Sequence, residues 1–476
     1  MNVSFEELIN LVKSYNPDEV EVVKKAYNFA KEKHDGQFRQ SGEPYIIHPL
    51  AVTYILANMH ADRDTLCAAM LHDVIEDCNV TKKQVANEFN ENVAELVDGV
   101  TNLTKVKFKD KSERDLATKR KIILGITKDA RIIIIKLADR LHNMLTLQYK
   151  SEYKRIEKAE ETMKFYVPLA RYIGAEKLRR ELEDLSFQYL DKENYLETKR
   201  QIENFKNQKK ENLNTMFKAF YTLLSDENIP HSLRLRIKNV YSIYNRLKNG
   251  EEIQNIHDFI AIKVIVDDIV DCYNALRIVH SLYKPSNATF KDYICNPKSN
   301  MYSSLHTSVY GPEDILVQTQ IRTFEMEKIN MQGLTAYWDI CQGEAGSKMQ
   351  EILKEKFQFV KSIKTIDRIF KNNEEFINHV RSDVLFETIF VYDNKGRMYE
   401  ITDGATIIDF AYQLGPDVGN KMIKAYLNGH ETKLDTSLHN GDRVYIVTSE
   451  EIEPKEEWIN NATTIKAQRL IKKNLK

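Results

Sequence analysis

From Ser4 to about residue 200, apolar residues recur every three or four positions, the period of an amphipathic helix. Ser4 with Glu7 forms a capping-box pattern before the first stripe. Asn16-Pro17 opens a second helix and Asp35-Gly36 closes it. Further helices are expected over Pro49–Met59, Thr65–Asp77, Thr81–Phe89, Glu113–Ile126, Arg131–Gln148 and Tyr153–Tyr172. A polar helix around Asn194–Asn214 reads as a connector. Near Ile229 the pattern changes. His231–Ile237, Phe259–Val266, Ser304–Tyr310 and Ile315–Ile321 alternate or run apolar with β-branched residues, as strands do. Helical patterns at Val240–Lys248, Asp268–Leu282 and Thr323–Trp338 intervene, which makes this region mixed α+β or α/β. A second helical stretch, Glu344–Val380, leads to TIFVYDNKGRMYEI, two strands around a turn at Asn394-Lys395-Gly396. A short helix at Ala405–Leu414 and strands in MIKAYLNG and DRVYIVTS complete a small β-grasp-like module, and Trp458–Lys476 reads as a basic amphipathic helix. The expected organisation is a helical domain over 1–195, a mixed domain over 196–345, a helical linker over 346–384, a β-grasp module over 385–450 and a terminal helix over 451–476.

Composition changes this picture little. At roughly 100–200 residues per domain, 476 residues suit about three domains. Lys+Arg (69) nearly balance Asp+Glu (70), so any basic patch for nucleic acid is local. Fully apolar runs, such as Ile132–Ile135, are only a few residues long, too short to span a membrane, and the acidic start MNVSFEEL is unlike a secretory signal. Cys67, Cys78, Cys272, Cys295 and Cys341 form no CxxC pair, which favours a reducing cytoplasm and argues against thiolate zinc.

Candidate chemistry lies where polar groups interrupt apolar helices. MLHDVIEDCNV reads as buried at Met70, Leu71, Val74 and Ile75, yet it carries His72, Asp73, Glu76 and Asp77. On a helix, His72 and Glu76 share a face, as do Asp73 and Asp77. Burying these groups costs several kcal/mol, of order 3–5, unless something binds them. His48 stands before Pro49 at a helix start, and Asp139, His142 and Asn143 follow the apolar run of IIIIKLADRLHNM. Two His and two Asp suit a hard to borderline divalent ion such as Mn²⁺, with Glu76 and Asp77 free to deprotonate water. A structural hydrogen-bond network is the competing reading.

SGEPYIIHP, LHDVIED and IKLADRLHNM, in this order, resemble the HD-type hydrolase domain of long RelA/SpoT homologues, which make and degrade the alarmone (p)ppGpp. The resemblance implies that His48, His72, Asp73 and Asp139 bind Mn²⁺ and that Glu76 and Asp77 activate the attacking water. It places Arg39 against the metal cluster and has Asn143, Thr146 and Ser41 seat the nucleotide. The family often has a basic residue where this chain has Gln40. The implied reaction releases the 3′-diphosphate of (p)ppGpp as pyrophosphate, leaving GDP or GTP.

FKDYICNPKSNMYSSLH gathers Lys291, Lys298, Asn300, Tyr302 and His306, while Arg236 and Lys238 sit at a strand-to-helix turn. Such groups hold phosphates and stack on bases, and a solvated basic loop is an equally good reading of composition alone. RLRIKNVYSIYNRL, HDFIAIKVIV, FKDYICNPKSNMYSSLHT and QIRT resemble the family's synthetase domain, a nucleotidyltransferase-like fold that moves pyrophosphate from ATP to GDP or GTP. The implied roles are ATP phosphate binding by Arg236, Lys238 and Lys291, guanine stacking by Tyr302, Mg²⁺ binding by Asp258, and placement of GDP or GTP by Lys298, Asn300 and His306. The family's EVQIRT reads QTQIRT, so Gln318 stands for a catalytic, metal-binding Glu. Its amide can offer Mg²⁺ a carbonyl oxygen but no charge. Thr289, Lys263 and Tyr337 replace a family Arg, Arg and His. Synthesis is therefore expected to be lost or very weak, with nucleotide binding retained.

Residues 385–450 resemble the family's TGS domain, which can touch tRNA ends on the ribosome. Leu414 and Gly415 occupy the stretch where a His is usual, which speaks against RNA contact by this copy. Three other readings stay open: a bifunctional synthetase/hydrolase in which Gln318 is compensated, a nucleotide-sensing module, and an HD phosphohydrolase with another nucleotide substrate.

Overall fold

The computed structural model describes residues 3–102, 109–256, 258–286, 290–298, 301–336, 359–383, 388–439, 441–450 and 452–475. Thr289, Asn300, Tyr337 and much of the stretch Glu344–Val380 lie outside them. The chain forms two compact units, Met1–Lys107 with Lys121–Val360, and Phe108–Arg120 with Lys361–Lys476. No helix among the described residues is long and apolar enough to cross a membrane.

In the first unit the helical part begins as its sequence dictates. Ser4 Oγ accepts the Glu7 N–H at 3.1 Å and Glu7 accepts the Ser4 N–H at 2.7 Å, closing the capping box before helix Phe5–Tyr15. Helix Arg131–Leu145 is buried almost all round. Its N-terminal Arg131 is tied to Asp129 at 2.6 Å and Asp62 at 3.3 Å, which neutralises a buried cation at the entry to the core.

Three expected helices are broken. Thr65–Asp77 divides into Arg63–Met70 and Val74–Asp77, because Leu71 leaves helical geometry at φ −105°, ψ 4°. Tyr153–Tyr172 is interrupted by a π turn, Thr162–Tyr166. Pro168 lacks the N–H that an unbroken helix would offer the Lys164 carbonyl. The expected connector is two helices, Lys192–Gln208 and Lys210–Asp226. It is more than a connector: Ile202, Leu213, Met216, Phe220 and Leu224 enter the core of the mixed domain.

That domain is a five-stranded sheet in the order β1-β2-β5-β4-β3, with β1 His231–Ile237, β2 Ile260–Val266, β3 Lys291–Asp292, β4 Leu305–Tyr310 and β5 Leu316–Thr323. β2 and β5 are parallel and the other pairs antiparallel. Strand alternation divides the chemistry. Ile260, Ile262, Val264, Val266, Val317, Ile321, Leu305 and Val309 join the apolar core with helices Lys210–Asp226 and Ile269–Leu282. The opposite face carries Arg236, Lys263, Gln318, Gln320, Arg322 and His306 in neighbouring rows.

Helix Glu176–Leu190, from the helical part, joins the two domains of this unit. Asp184 accepts the Val240 and Tyr241 N–H groups at 3.2 and 3.0 Å, and both Glu183 and Asp184 accept from Asn239 at 3.0 Å. A carboxylate from one domain thus caps helix Val240–Lys248 of the other.

The second unit holds β6 Thr388–Asp393, β7 Met398–Thr402, β8 Met422–Leu427, β9 His430–Thr432 and β10 Arg443–Thr448, in the order β7-β6-β10-β8-β9. β10 runs parallel to β6, and helix Ile407–Leu414 packs on the sheet, completing a β-grasp. Gly396, at φ 78°, makes the expected turn between β6 and β7. The tail is two helices rather than one, Glu457–Asn461 and Ile465–Asn474, since Thr464 caps the second. Trp458, Ala467 and Ile471 bury into the β-grasp core.

Candidate metal centre and polar sheet face

The HD dipeptide sits in the turn between helices Arg63–Met70 and Val74–Asp77, so its side chains leave the helical wall and point to one centre. His48 comes from the first turn of helix Ile47–Ala57, and Asp139 from the middle of Arg131–Leu145. Donor atoms of His48, His72 and Asp139 lie within 4.8 Å of one another. Asp73 joins them, with Oδ2 at 3.1 Å from His72 Nε2 and 3.6 Å from His48 Nε2. Asp139 Oδ1 is 3.3 Å from His48 Nε2 and 3.8 Å from His72 Nε2, and the two Nε2 atoms are 3.2 Å apart. All four expected metal residues converge.

Their hydrogen bonds suit a cation. His72 Nδ1 lies 2.8 Å from the Ala69 carbonyl, which can only accept, so Nδ1 carries a proton and Nε2 is the nitrogen turned to the cluster. Burial opposes charge on His72, but Asp73 and then Asp139 hold its pKa up at about 9, a field that favours positive charge. Burial outweighs the neighbouring carboxylates at His48, whose pKa is lowered. Asp73 and Asp139 are held below the ordinary carboxylate range against burial, Asp73 by His72 and Asp139 by Lys136 and the histidines. Two imidazoles and two ionised carboxylates around one point are a fitting donor set for a divalent metal.

Glu76 and Asp77 border this cluster. Burial first, then the Asp73 charge, raises the pKa of both. Glu76 accepts the Asn102 N–H at 3.1 Å. Arg39 donates to His142 Nδ1 at 3.1 Å and Asn143 Oδ1 at 3.2 Å, with Thr146 Oγ1 at 3.5 Å. Ser41 instead donates to Glu43 at 2.9 Å. Two contributors, Tyr45 and Lys136, were not singled out by sequence, and a third, His142, was noted there without a role. Tyr45 donates to Asp73 at 2.7 Å, with Asp77 at 3.1 Å. The buried Lys136 pairs with Asp139 at 3.0 Å. His142 Nδ1 lies 2.8 Å from His48 Nδ1, and burial, then His48 and Arg39, push its pKa down to about 2. A lone Lys three residues before Asp139 in IIIIKLAD was a usable signal for Lys136; Tyr45 carried none beyond proximity to His48.

The polar face of the middle sheet gathers the second group of candidates. Lys238 pairs with Asp258, and Arg236 donates to the Asp258 carbonyl at 3.4 Å. Burial and then Arg180 lower the Arg236 pKa to about 10. Tyr302 and His306 Nε2 are 2.7 Å apart, Lys298 lies 5.5 Å over the Tyr302 ring, and Lys291 faces His306 in register. Burial and then Arg322 hold His306 well below the ordinary histidine range. Glu327 accepts from Lys263 at 2.7 Å and Arg322 at 3.1 Å. Arg322, which only donates, bonds Gln320 Oε1 at 2.6 Å, so the Gln320 NH₂ is the donor to Gln318 Oε1 at 2.7 Å. The Gln318 carbonyl thus already accepts one hydrogen bond, and its NH₂ is a donor that a carboxylate would lack.

Residues 26–176 match an HD domain, 235–344 a region found in RelA / SpoT proteins, and 389–448 a TGS domain. The guanosine-3′,5′-bis(diphosphate) 3′-pyrophosphohydrolase of Vibrio cholerae is 39% identical over 475 residues, covering 99% of this chain and 67% of the relative. The GTP pyrophosphokinase of Myxococcus xanthus is 37% identical over 466 residues, covering 97% and 61%. The bifunctional (p)ppGpp synthase/hydrolase SpoT of Escherichia coli is 38% identical over 474 residues, covering 99% and 67%. The chain thus spans about two thirds of the length of these relatives. With all three domains present in order, the chain belongs to the long RelA/SpoT homologue family.

Proposed function

We propose that the helical part hydrolyses (p)ppGpp to GDP or GTP and pyrophosphate, with Mn²⁺ held by His48, His72, Asp73 and Asp139. The observation that carries this reading is the convergence of these four side chains from three separate segments. Two of the three relatives above are named for this hydrolysis, which supports it. When bound, the ion would supply Lewis acidity at the phosphoryl group and acidify water. Water adds to the 3′-diphosphate while the bond from the 3′ oxygen to phosphorus breaks. The Glu76–Asp77 pair takes one proton from the water and a proton returns to the departing 3′ oxygen, leaving a hydroxyl; their raised pKa values make them better acceptors. Arg39 offers cationic N–H groups to the departing pyrophosphate, and Asn143, Thr146 and Ser41 seat the nucleotide. The scattered cysteines, of which Cys67, Cys78, Cys272 and Cys295 are free thiols, fit a reducing cytoplasm. The test is purified protein with ppGpp and Mn²⁺. Pyrophosphate release that survives a chelator, or full turnover by Glu76→Gln, would overturn the assignment.

A second reading concerns the polar sheet face. It binds ATP phosphates through Arg236, Lys238 and Lys291 and guanine nucleotide through Lys298, Tyr302 and His306, but transfers pyrophosphate weakly or not at all. The Gln318 amide favours this reading: a donor N–H suits a phosphate oxygen and cannot replace a metal-binding carboxylate. Robust (p)ppGpp synthesis from ATP plus GTP with Mg²⁺ would refute it and favour a bifunctional enzyme.

A further inference from the structure

Arg39 has five N–H donors and no acceptor, and this one-way character settles the orientation of everything it touches. Its Nη1 lies 3.1 Å from His142 Nδ1. That nitrogen must therefore accept, and the His142 ring is neutral with its proton on Nε2. The same His142 Nδ1 lies 2.8 Å from His48 Nδ1. Since His142 Nδ1 accepts, His48 Nδ1 must donate, and His48 Nε2 is left bare. Bare Nε2 is the atom that faces His72, Asp73 and Asp139.

The second arm of the guanidinium repeats the logic. Nη2 donates to Asn143 Oδ1 at 3.2 Å, which fixes the carboxamide so that its NH₂ faces the other way. That NH₂ donates to Asp139 Oδ1 at 2.6 Å. One side chain thus reaches two of the four ligands, each through one intermediary. His142 is 1% exposed, so no water replaces it as acceptor for His48.

We infer that His142 is a positioning residue for the metal centre: held as an acceptor by Arg39, it locks His48 in the tautomer whose Nε2 can bind the ion. Arg39 anchors both this relay and the parallel one through Asn143 to Asp139. The inference rests on the metal reading above. It assigns Arg39 and His142 a task completed before substrate arrives, so it is readable without turnover.

The experiment titrates Mn²⁺ alone into metal-free full-length protein by calorimetry. His142→Leu removes the acceptor and keeps the volume apolar, while His142→Asn restores an acceptor oxygen near the position of Nδ1. Loss of such an outer hydrogen bond typically weakens metal binding 10–100-fold. Mn²⁺ affinity should fall by about that factor in His142→Leu and return to within a few-fold of wild type in His142→Asn. Thermal midpoints of the metal-free proteins check that both variants fold. Equal affinity in wild type and His142→Leu overturns the inference, as does a His142→Asn variant as weak as His142→Leu. His72→Ala is the reference that separates the two failures. If wild type and His72→Ala bind Mn²⁺ alike, the metal reading itself fails. If only His72→Ala weakens binding, the metal reading stands and the role of His142 does not.

Discussion

Within one compact unit, the helical pocket gathers two imidazoles and two carboxylates around a shared centre, whereas the polar face of the middle sheet gathers Arg236, Lys263, Arg322 and His306 with Glu327 as counter-ion. Phosphate chemistry needs positive charge in both places. The first surface is anionic and must import its cation; the second carries cations in its own side chains. The difference separates their responses to solution conditions. A chelator should silence the pocket and leave nucleotide binding on the sheet, while added salt should weaken the sheet more than the pocket.

The largest expected effect breaks the pocket. Asp73→Asn keeps the shape and removes one charge, and hydrolysis of ppGpp should drop by more than the roughly 100-fold typical of an outer contact. Turnover at the wild-type rate would remove Asp73 from the ligand set. Next comes a change that makes the two surfaces more alike. Gln318→Glu returns a carboxylate to the sheet, and synthesis from ATP and GTP should rise, on the order of 100-fold if this acid is the main missing group. No gain in radiolabelled product would mean that other departures, such as Lys263, are as limiting.

A third prediction targets the seam. Burial raises the Glu176 pKa, but Arg179 and then Arg180 overcome it and bring it down to about 2, from an ordinary value of 4.5. The folded value is depressed, so the stabilisation is complete above the unfolded pKa and is lost as pH falls through the folded one. Glu176→Gln should cost on the order of 2 kcal/mol near pH 6. The difference in thermal midpoint from wild type should shrink between about pH 5 and about pH 2; a gap that stays constant with pH would contradict the assignment. The smallest effect is Tyr45→Phe, which removes the donor to Asp73. Mn²⁺ activation should need about tenfold more metal, with kcat at saturating Mn²⁺ little changed. An unaltered activation curve would show the phenol to be dispensable.

The helical period and the strand alternation were legible because each element buries one face. The four candidate metal residues were legible because polar groups inside apolar stripes demand a partner. The turn that aims His72 and Asp73 was hidden, since Met70, Leu71, Val74 and Ile75 keep their helical spacing across the break. The helix around residue 200 looked peripheral because it sends only Ile202 into the core; most of the apolar anchors, Leu213, Met216, Phe220 and Leu224, belong to the next helix, Lys210–Asp226. The state of Gln318 was beyond reach, because it depends on Gln320 and Arg322, whose side chains meet only through alternation on one strand.

Helix Arg131–Leu145 supplies Lys136, Asp139, His142 and Asn143, whereas His48 and His72 come roughly 70–90 residues earlier in the chain. During synthesis at about 5–20 residues per second, the early donors wait roughly 3–18 s for that helix. A nascent chain therefore carries His48, His72 and Asp73 without the fourth donor, without the lysine that balances it and without the acceptor that orients His48. All three deficits are repaired by the docking of a single helix. The complete donor set of the proposed centre therefore exists only once this one helix has docked.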